Sequence, residues 1–246
     1  YAGVSCEMDT IMEIAEKYGL FVIEDAAQGL MSKYKGRSLG SIGHIGCLSF
    51  HETKNYQCGE GGAILLNNSS LIERAEIIRE KGTNRSQFNR GIVDKYRWID
   101  IGSSYLPSEL NAAFLYAQFE SSYKVQEKRQ SLWNEYSEQL SKLDQLDLQI
   151  IPNELEHNSH MFYIKLKNTD ERQKMIEHLK AFRIQSVFHY IPLHKSKKCS
   201  KYNIFHNKDE YTTIESERLL RLPIYYNLTV PDVKYICTKV QEFFNG

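Results

Sequence analysis

Lys54 stands in Ser49-Phe50-His51-Glu52-Thr53-Lys54-Asn55, between an apolar run ending in Cys47-Leu48 and the turn-rich Gly59-Glu60-Gly61-Gly62. Twenty-nine residues earlier, Leu20-Phe21-Val22-Ile23 runs into Glu24-Asp25. An amine and a carboxylate therefore occur where two apolar strands end. A lysine amine attacks a carbonyl only when unprotonated, and burial or a neighbouring cation lowers its pKa toward neutrality. That is Schiff-base chemistry, and the pair invites a cofactor between its members. Taken singly, each residue has a plainer reading, Asp25 as the cap of a helix starting near Ala26 and Lys54 as a solvated loop charge. Their spacing and strand context favour the pair.

If the carbonyl compound is pyridoxal 5'-phosphate, its pyridine nitrogen must stay protonated to take up carbanion electrons, and a fixed carboxylate does this. Asp25 is the candidate. The phosphate needs hydroxyl and backbone donors, which Ser49 can supply in part. Gln28, three residues after Asp25, can hydrogen-bond the ring hydroxyl. The run Gly59-Glu60-Gly61-Gly62 precedes the strand-like Ala63-Ile64-Leu65-Leu66 instead of opening a helix, so it is no dinucleotide fingerprint. Its glycines let the backbone turn tightly beside the lysine. Candidate substrate contacts are His51 in the lysine segment and His189, Tyr190 and His194 further on. His189, His194 and His206 lie near the basic stretch Lys195 to Lys201, which leaves a metal site, a general acid or a diphosphate grip open, although their spacing fits no recurring zinc pattern. Hydrolase chemistry lacks its nucleophile, because no Gly-x-Ser-x-Gly elbow occurs.

The elements that must position these groups alternate. Asp9 to Gly19 is predicted as a helix capped by Asp9 and stopped by Gly19, with Ile11, Ile14, Ala15 and Tyr18 on one face. Strands over 20–24, 45–50 and 62–66 follow, the order of an α/β layer with a mostly parallel sheet whose strand ends gather ligands. Leu71 to Lys81 is predicted as an amphipathic helix, and Gly82 through Gly102 as a long loop of the kind that lines sites or interfaces. Pro107 opens a further helix, with helical periodicity from Leu110 to Leu143. Beyond Leu148 come a strand (160–167), a helix from Asp170 (170–182), a strand (184–189) and helices near 212–221 and 231–244, the pattern of a smaller α+β domain. Tyr202 to Tyr211 is predicted as loop.

The 246 residues are 41% hydrophobic and 25% charged, ordinary for a globular protein. Thirty-one basic residues balance thirty-one acidic ones, so no overall field draws the chain to nucleic acid or an anionic membrane. Cys6, Cys47, Cys58, Cys199 and Cys237 are odd in number and scattered, which predicts reduced thiols in the cytoplasm and no structural zinc. No apolar run is long enough to span a bilayer. The chain opens on Tyr1 and enters a helix almost at once, so a fragment or processed chain is expected.

Val22-Ile23-Glu24-Asp25-Ala26-Ala27-Gln28, then Ser49 to Asn55 with Gly59-Glu60-Gly61-Gly62, together resemble the sugar aminotransferases of the DegT/DnrJ/EryC1/StrS family. The likeness continues through Ser108-Glu109-Leu110-Asn111-Ala112-Ala113, Tyr190-Ile191-Pro192-Leu193-His194 and Glu215 to Pro223. The resemblance implies a pyridoxal-phosphate-dependent transferase of fold type I. Residues 1–120 would be the later part of its large α/β domain, 121–147 a bridging helix, and 148–246 the small C-terminal α+β domain. Phe50 to Lys54, Gly82 to Phe88 and Asp100 to Pro107 are most similar to members that aminate C4 of dTDP-4-keto-6-deoxyglucose, with glutamate as donor, for surface polysaccharides. Members that dehydrate sugars carry histidine in place of the lysine, so Lys54 implies transamination.

By matched position, Lys54 is the Schiff-base lysine and proton shuttle, Asp25 the partner of the pyridine nitrogen, Gln28 the contact to the ring hydroxyl, and Ser49 a phosphate ligand. Family members are dimers with shared sites, and Ser104 falls where many present an asparagine to the other subunit's phosphate, a departure from the pattern. Family members also carry a Gly-Thr phosphate turn and a ring-stacking aromatic ahead of the match to Tyr1, without counterpart here. The competing expectation is a non-catalytic truncated paralogue, or a partial subunit that needs a separate N-terminal chain.

Overall fold

Alternating short polar turns and apolar runs divide the chain into ten strands and eight α-helices in the computed structural model, which describes residues 1–201 and 208–245. Two compact units result, one of Tyr1, Gly3–Ser122 and Asn153–Asn158, the other of Ala2, Tyr123–Pro152 and Ser159–Gly246.

In the first unit, α1 (Met8–Tyr18) ends where Gly19 takes the left-handed conformation at φ 64°, as its predicted stop requires. Asp9 does not cap it. The N-cap is Glu7, without a side-chain bond, and Asp9 instead pairs with Lys35 and Arg37. Of the predicted apolar face only Ala15 is buried, while Ile14 and Tyr18 are exposed. The first strand, β1 (Ile23–Asp25), is shorter and later than expected. Strands β2 (Lys33–Tyr34) and β3 (Arg37–Ser38) form a small hairpin, and β4 (Ile45–Ser49) and β5 (Gly62–Leu66) follow. The main sheet has the order β1-β4-β5; β1 and β4 are parallel, but β4 and β5 are antiparallel. The mostly parallel sheet is thus corrected to a mixed one. The reason is the connection: its backbone pairs with itself, Phe50 with Gly61 and Glu52 with Gly59, so the chain folds back as a hairpin and contains no crossover element.

α2 (Ile72–Arg79) and α3 (Arg85–Asn89) follow, so the predicted loop after Gly82 contains a short helix. Arg90 ties it back to Glu76 through two bonds of 2.8 and 2.7 Å. Ser108 caps α4 (Glu109–Glu120) by accepting from the Asn111 N–H at 3.2 Å. The single helix expected from Leu110 to Leu143 is interrupted at Ser121, and α5 (Ser122–Leu140) starts anew.

The second unit holds a four-stranded antiparallel sheet in the order β6-β8-β10-β9, formed by β6 (Asp147–Leu148), β8 (Phe162–Lys165), β9 (Val187–Phe188) and β10 (Leu219–Leu222). Between β6 and β8 the chain makes β7 (Leu155–Glu156), which belongs to the first unit and pairs with β2. α5, α6 (Thr169–Ala181) and α8 (Val230–Asn245) supply most of the helical core, Leu132, Tyr136, Leu140, Met175, Leu179, Val233 and Val240, packed on Phe162, Ile164 and Leu220. The helix expected near 212–221 is corrected. α7 (Thr212–Arg218) stops at Arg218, and Leu219-Leu220-Arg221-Leu222 becomes an inner strand, because pairing with β8 and β9 buries its three leucines. Asn168, not Asp170, caps α6, accepting from the Glu171 N–H at 2.9 Å. No helix among the described residues is long and apolar enough to cross a membrane.

Candidate active site

The pleat of the first unit's sheet decides which carboxylate is presented. Asp25 pairs in register with Cys47, and Cys47 with Ile64. Since side chains alternate along a strand, Ile23, Asp25, Cys47, Ser49 and Ile64 share one face, and Glu24, Gly46, Leu48, Ala63 and Leu65 the other. Asp25 is exposed there, bonded to the Ala27 N–H at 3.2 Å, on a face that also carries Ile23 and Ile64, which are 63% and 52% exposed. Ser49 lies one strand over and two residues further along, which places it about 8 Å from Asp25 between Cα positions. Glu24 is buried on the opposite face, where it accepts from the N–H groups of Gly40, Ile42 and Gly43 at 2.8, 2.7 and 2.6 Å. No helix starts at Ala26, so the capping role considered for Asp25 is replaced by bracing a turn.

Lys54 sits at the tip of the β4–β5 hairpin. Backbone bonds from Phe50 to Gly61 (2.8 Å), Glu52 to Gly59 (2.9 Å) and Cys58 to Phe50 (2.9 Å) carry the ladder past the strands, and the Lys54 N–H closes a turn on the His51 carbonyl at 2.9 Å. Gly59 takes φ +79°, and a Cβ on Gly61 would come within 2.5 Å of the Cys58 sulfur, so the glycine run is a steric requirement of the turn. The Ser49 hydroxyl accepts from the His51 N–H at 3.3 Å. The His51 ring accepts from the Thr53 N–H at 3.2 Å and lies 3.7 Å from Glu60, so it is engaged within the turn itself. α4 braces the outside. Asn111 donates to the Glu60 carbonyl at 3.1 Å, Gln118 accepts from the Gln57 N–H at 3.0 Å, and Phe119 meets Phe50 edge to face. Lys54 is half-buried as a result.

Gln28 lies in the turn after β1, half-buried, and its carbonyl accepts from the Asn158 amide at 2.8 Å. Asn158 also touches Asn55 and is the residue that sequence reasoning missed. Its partners lie more than a hundred positions away, so no local pattern could reveal it. Ser104 is exposed and makes an isolated bridge to Glu80.

The remaining candidates belong to the second unit. Tyr190 is 77% exposed, and its ring meets that of His189 at 4.7 Å. His194 Nε2 lies 2.8 Å from Asp209 and 3.1 Å from the Thr213 hydroxyl. The Thr213 hydroxyl, with help from its N–H and from His194, holds the Asp209 carboxyl below its usual range. His206 lies outside the described residues.

The family model described as the DegT/DnrJ/EryC1/StrS aminotransferase family matches residues 1–241. The chain belongs to this family. Among DegT/DnrJ/EryC1/StrS relatives, an uncharacterised protein of Methanocaldococcus jannaschii, MJ1066, is 33% identical over 98% of the chain and 64% of its own length. The spore coat polysaccharide biosynthesis protein SpsC of Bacillus subtilis is 27% identical over 100% of the chain and 65% of its length. The S. venezuelae DesV structure, solved in complex with a ketimine intermediate, superposes with a TM-score of 0.84 at 27% identity, covering 98% of the chain and 62% of DesV. The chain thus spans a little under two thirds of each. The fold is that of the type I pyridoxal-phosphate enzymes, and members of the DegT/DnrJ/EryC1/StrS family depend on pyridoxal 5'-phosphate. The donor set fits that group. A carboxylate and a hydroxyl stand on one open sheet face over an apolar floor of Ile23, Cys47 and Ile64, with an amine on the adjoining hairpin.

Proposed function

We propose that this chain carries the catalytic lysine and most of the cofactor contacts of a sugar-nucleotide transaminase. The substrate on this reading is dTDP-4-keto-6-deoxy-D-glucose, the donor is glutamate, and the product is dTDP-4-amino-4,6-dideoxy-D-galactose for cell-surface polysaccharide. The observation that carries it is the placement of Asp25 and Ser49 on one open face beside the Lys54 hairpin. SpsC, a polysaccharide biosynthesis protein by name, supports the destination of the product.

Pyridoxal phosphate, when bound, supplies an electron sink for the carbon that gains or loses the amino group. Lys54 would hold the group through its Nζ, and its amine, when free, would itself accept the proton from the reacting carbon and return it. Asp25 keeps the pyridine nitrogen protonated by opposite charge, Gln28 orients the ring hydroxyl, and Ser49 donates to the phosphate. His51, His189, Tyr190 and His194 are proposed to contact the sugar nucleotide, and Ser104 to face the phosphate of a second subunit in a homodimer. The setting is the cytoplasm. Residues 1–120 serve as the cofactor-holding portion, 121–147 as a bridge, and 148–246 as the small domain.

The exposed Ile23 and Ile64 favour a second reading, in which the site works only once further protein covers this face. Borohydride reduction of the chain after incubation with pyridoxal phosphate, followed by peptide mapping, decides between them. The first reading expects an adduct on Lys54 that is lost in Lys54→Ala, and 2-oxoglutarate formed from glutamate in a single turnover. Absence of the adduct would remove the claim that these residues suffice.

A further inference from the structure

Asn158 is 2% exposed and ends the strand-turn segment that includes β7. Its amide nitrogen donates to the carbonyls of Gln28 and Leu30, each at 2.8 Å, and its N–H donates to the Ser32 hydroxyl at 3.0 Å. Its own carbonyl accepts from the Asn55 side chain at 3.2 Å. One residue therefore fastens the turn that follows Asp25 and, at the same time, the turn that carries Lys54. The amide orientation is determined by its partners, because two carbonyl acceptors can be served only by the NH2 group. Gly3, at φ +81°, closes the other side, where a Cβ would lie 2.1 Å from the Asn158 amide oxygen.

We infer that Asn158 is a positioning residue that holds the Asp25–Gln28 turn and the Lys54–Asn55 turn in one fixed relation, so that ring contacts and lysine are presented to the cofactor together. The physical case is preorganisation. Two turns on adjacent parallel strands can each be well ordered and still shift against one another, and a cofactor held by both loses affinity when its two sets of contacts no longer match. A buried network whose members are all satisfied is stiff; removing the Asn158 side chain leaves the Gln28 and Leu30 carbonyls without their donor and frees the main-chain carbonyl that Asn55 holds to shift. The use made of the coupling rests on the pyridoxal phosphate reading above; the coupling itself does not.

The test uses Asn158→Ala and Asn158→Asp, with Asn55→Ser as a milder variant that removes the bond from position 55 to the Asn158 carbonyl. Hydrogen exchange of the chain without cofactor is expected to show amides of 27–32 and 52–56 losing protection together, while β8 and β10 amides keep theirs. Pyridoxal phosphate titration is expected to give a dissociation constant raised at least tenfold, with a changed circular dichroism band of the bound chromophore that mere loss of stability would not produce. Loosening confined to one turn would overturn the coupling. Both turns loosened with unchanged affinity and chromophore signal would overturn its role toward the cofactor. Failure of the unaltered chain to take up pyridoxal phosphate would count against the functional reading, and the exchange data would still decide the coupling.

Discussion

Glu24 and Asp25 are adjacent acids at one strand end, and the pleat gives them opposite work, which a pair of isosteric substitutions separates. In Glu24→Gln, one oxygen can keep the Ile42 and Gly43 N–H groups, but the new NH2 faces the Gly40 N–H, donor against donor. Bonds to a charged acceptor contribute about 1.5–3 kcal/mol each and neutral ones about 1, while a buried orphaned donor costs about 1–3 kcal/mol. Losing the charge on two bonds and orphaning one donor gives about 3 kcal/mol. For a protein of this length that is a fall of about 6–12 °C in melting temperature. In Asp25→Asn, the oxygen that accepts from Ala27 remains and the site is exposed, so melting should shift by less than about 0.5 kcal/mol. Cofactor uptake should fall roughly tenfold to a hundredfold with the loss of a charged partner. Thermal melting by far-ultraviolet circular dichroism and pyridoxal phosphate titration read both arms. A Glu24→Gln protein that melts within 2 °C of the parent, or an Asp25→Asn protein that melts as early as Glu24→Gln, would refute the assignment of faces.

Three further outcomes are expected. Gly46→Ala places a Cβ 2.0 Å from the Gly40 carbonyl oxygen, a backbone contact that cannot swing aside, so the variant should lose about 3 kcal/mol or more and partition into the insoluble fraction. Burial holds the His157 imidazole down to about 4; with its unfolded value near 6.5, stability is complete above that pH and lost as pH falls toward 4. Discounted for its partial exposure, the loss is about 2 kcal/mol, and urea midpoints for His157→Gln should be flatter across that window. Arg129, buried, donates to the carbonyls of Ser159, His160 and Ile224; Arg129→Met should cost about 2–4 kcal/mol in chemical denaturation, and Arg129→Lys nearly as much because an ammonium cannot reach three divergent acceptors.

The parts of the site that were legible in the sequence are those whose signals are local. A lysine in a polar turn after an apolar run, glycines five to eight residues later, Gly19 at a helix end and Pro107-Ser108 at a helix start each act within a few positions, and the hairpin turn, the helix stop and the helix start fall where the sequence predicts them. The errors have equally specific causes. Leu219 to Leu222 looks like the end of a helix because periodicity cannot separate a short apolar run in a buried strand from one in a helix. The break at Ser121 has neither glycine nor proline to announce it. Asp9 has the right chemistry for a cap but finds two cations across the β2–β3 hairpin, which outbid the helix end.

Asn158 shows why the remainder was out of reach, and why it bears on function. Residues that make contact with a cofactor advertise their chemistry, whereas a residue that sets the spacing between two such contacts works through carbonyls and amides that every residue possesses. Its side chain bonds the carbonyls at positions 28 and 30 and its main chain meets the side chains at 32 and 55, a relation fixed by the return of one short segment to the first unit. Lys54 and Asp25 can therefore both be intact in a chain whose site is loose. On the proposed reading transamination needs both chemical groups, and the competence of the site depends as well on whether the turns that carry them are held at one separation.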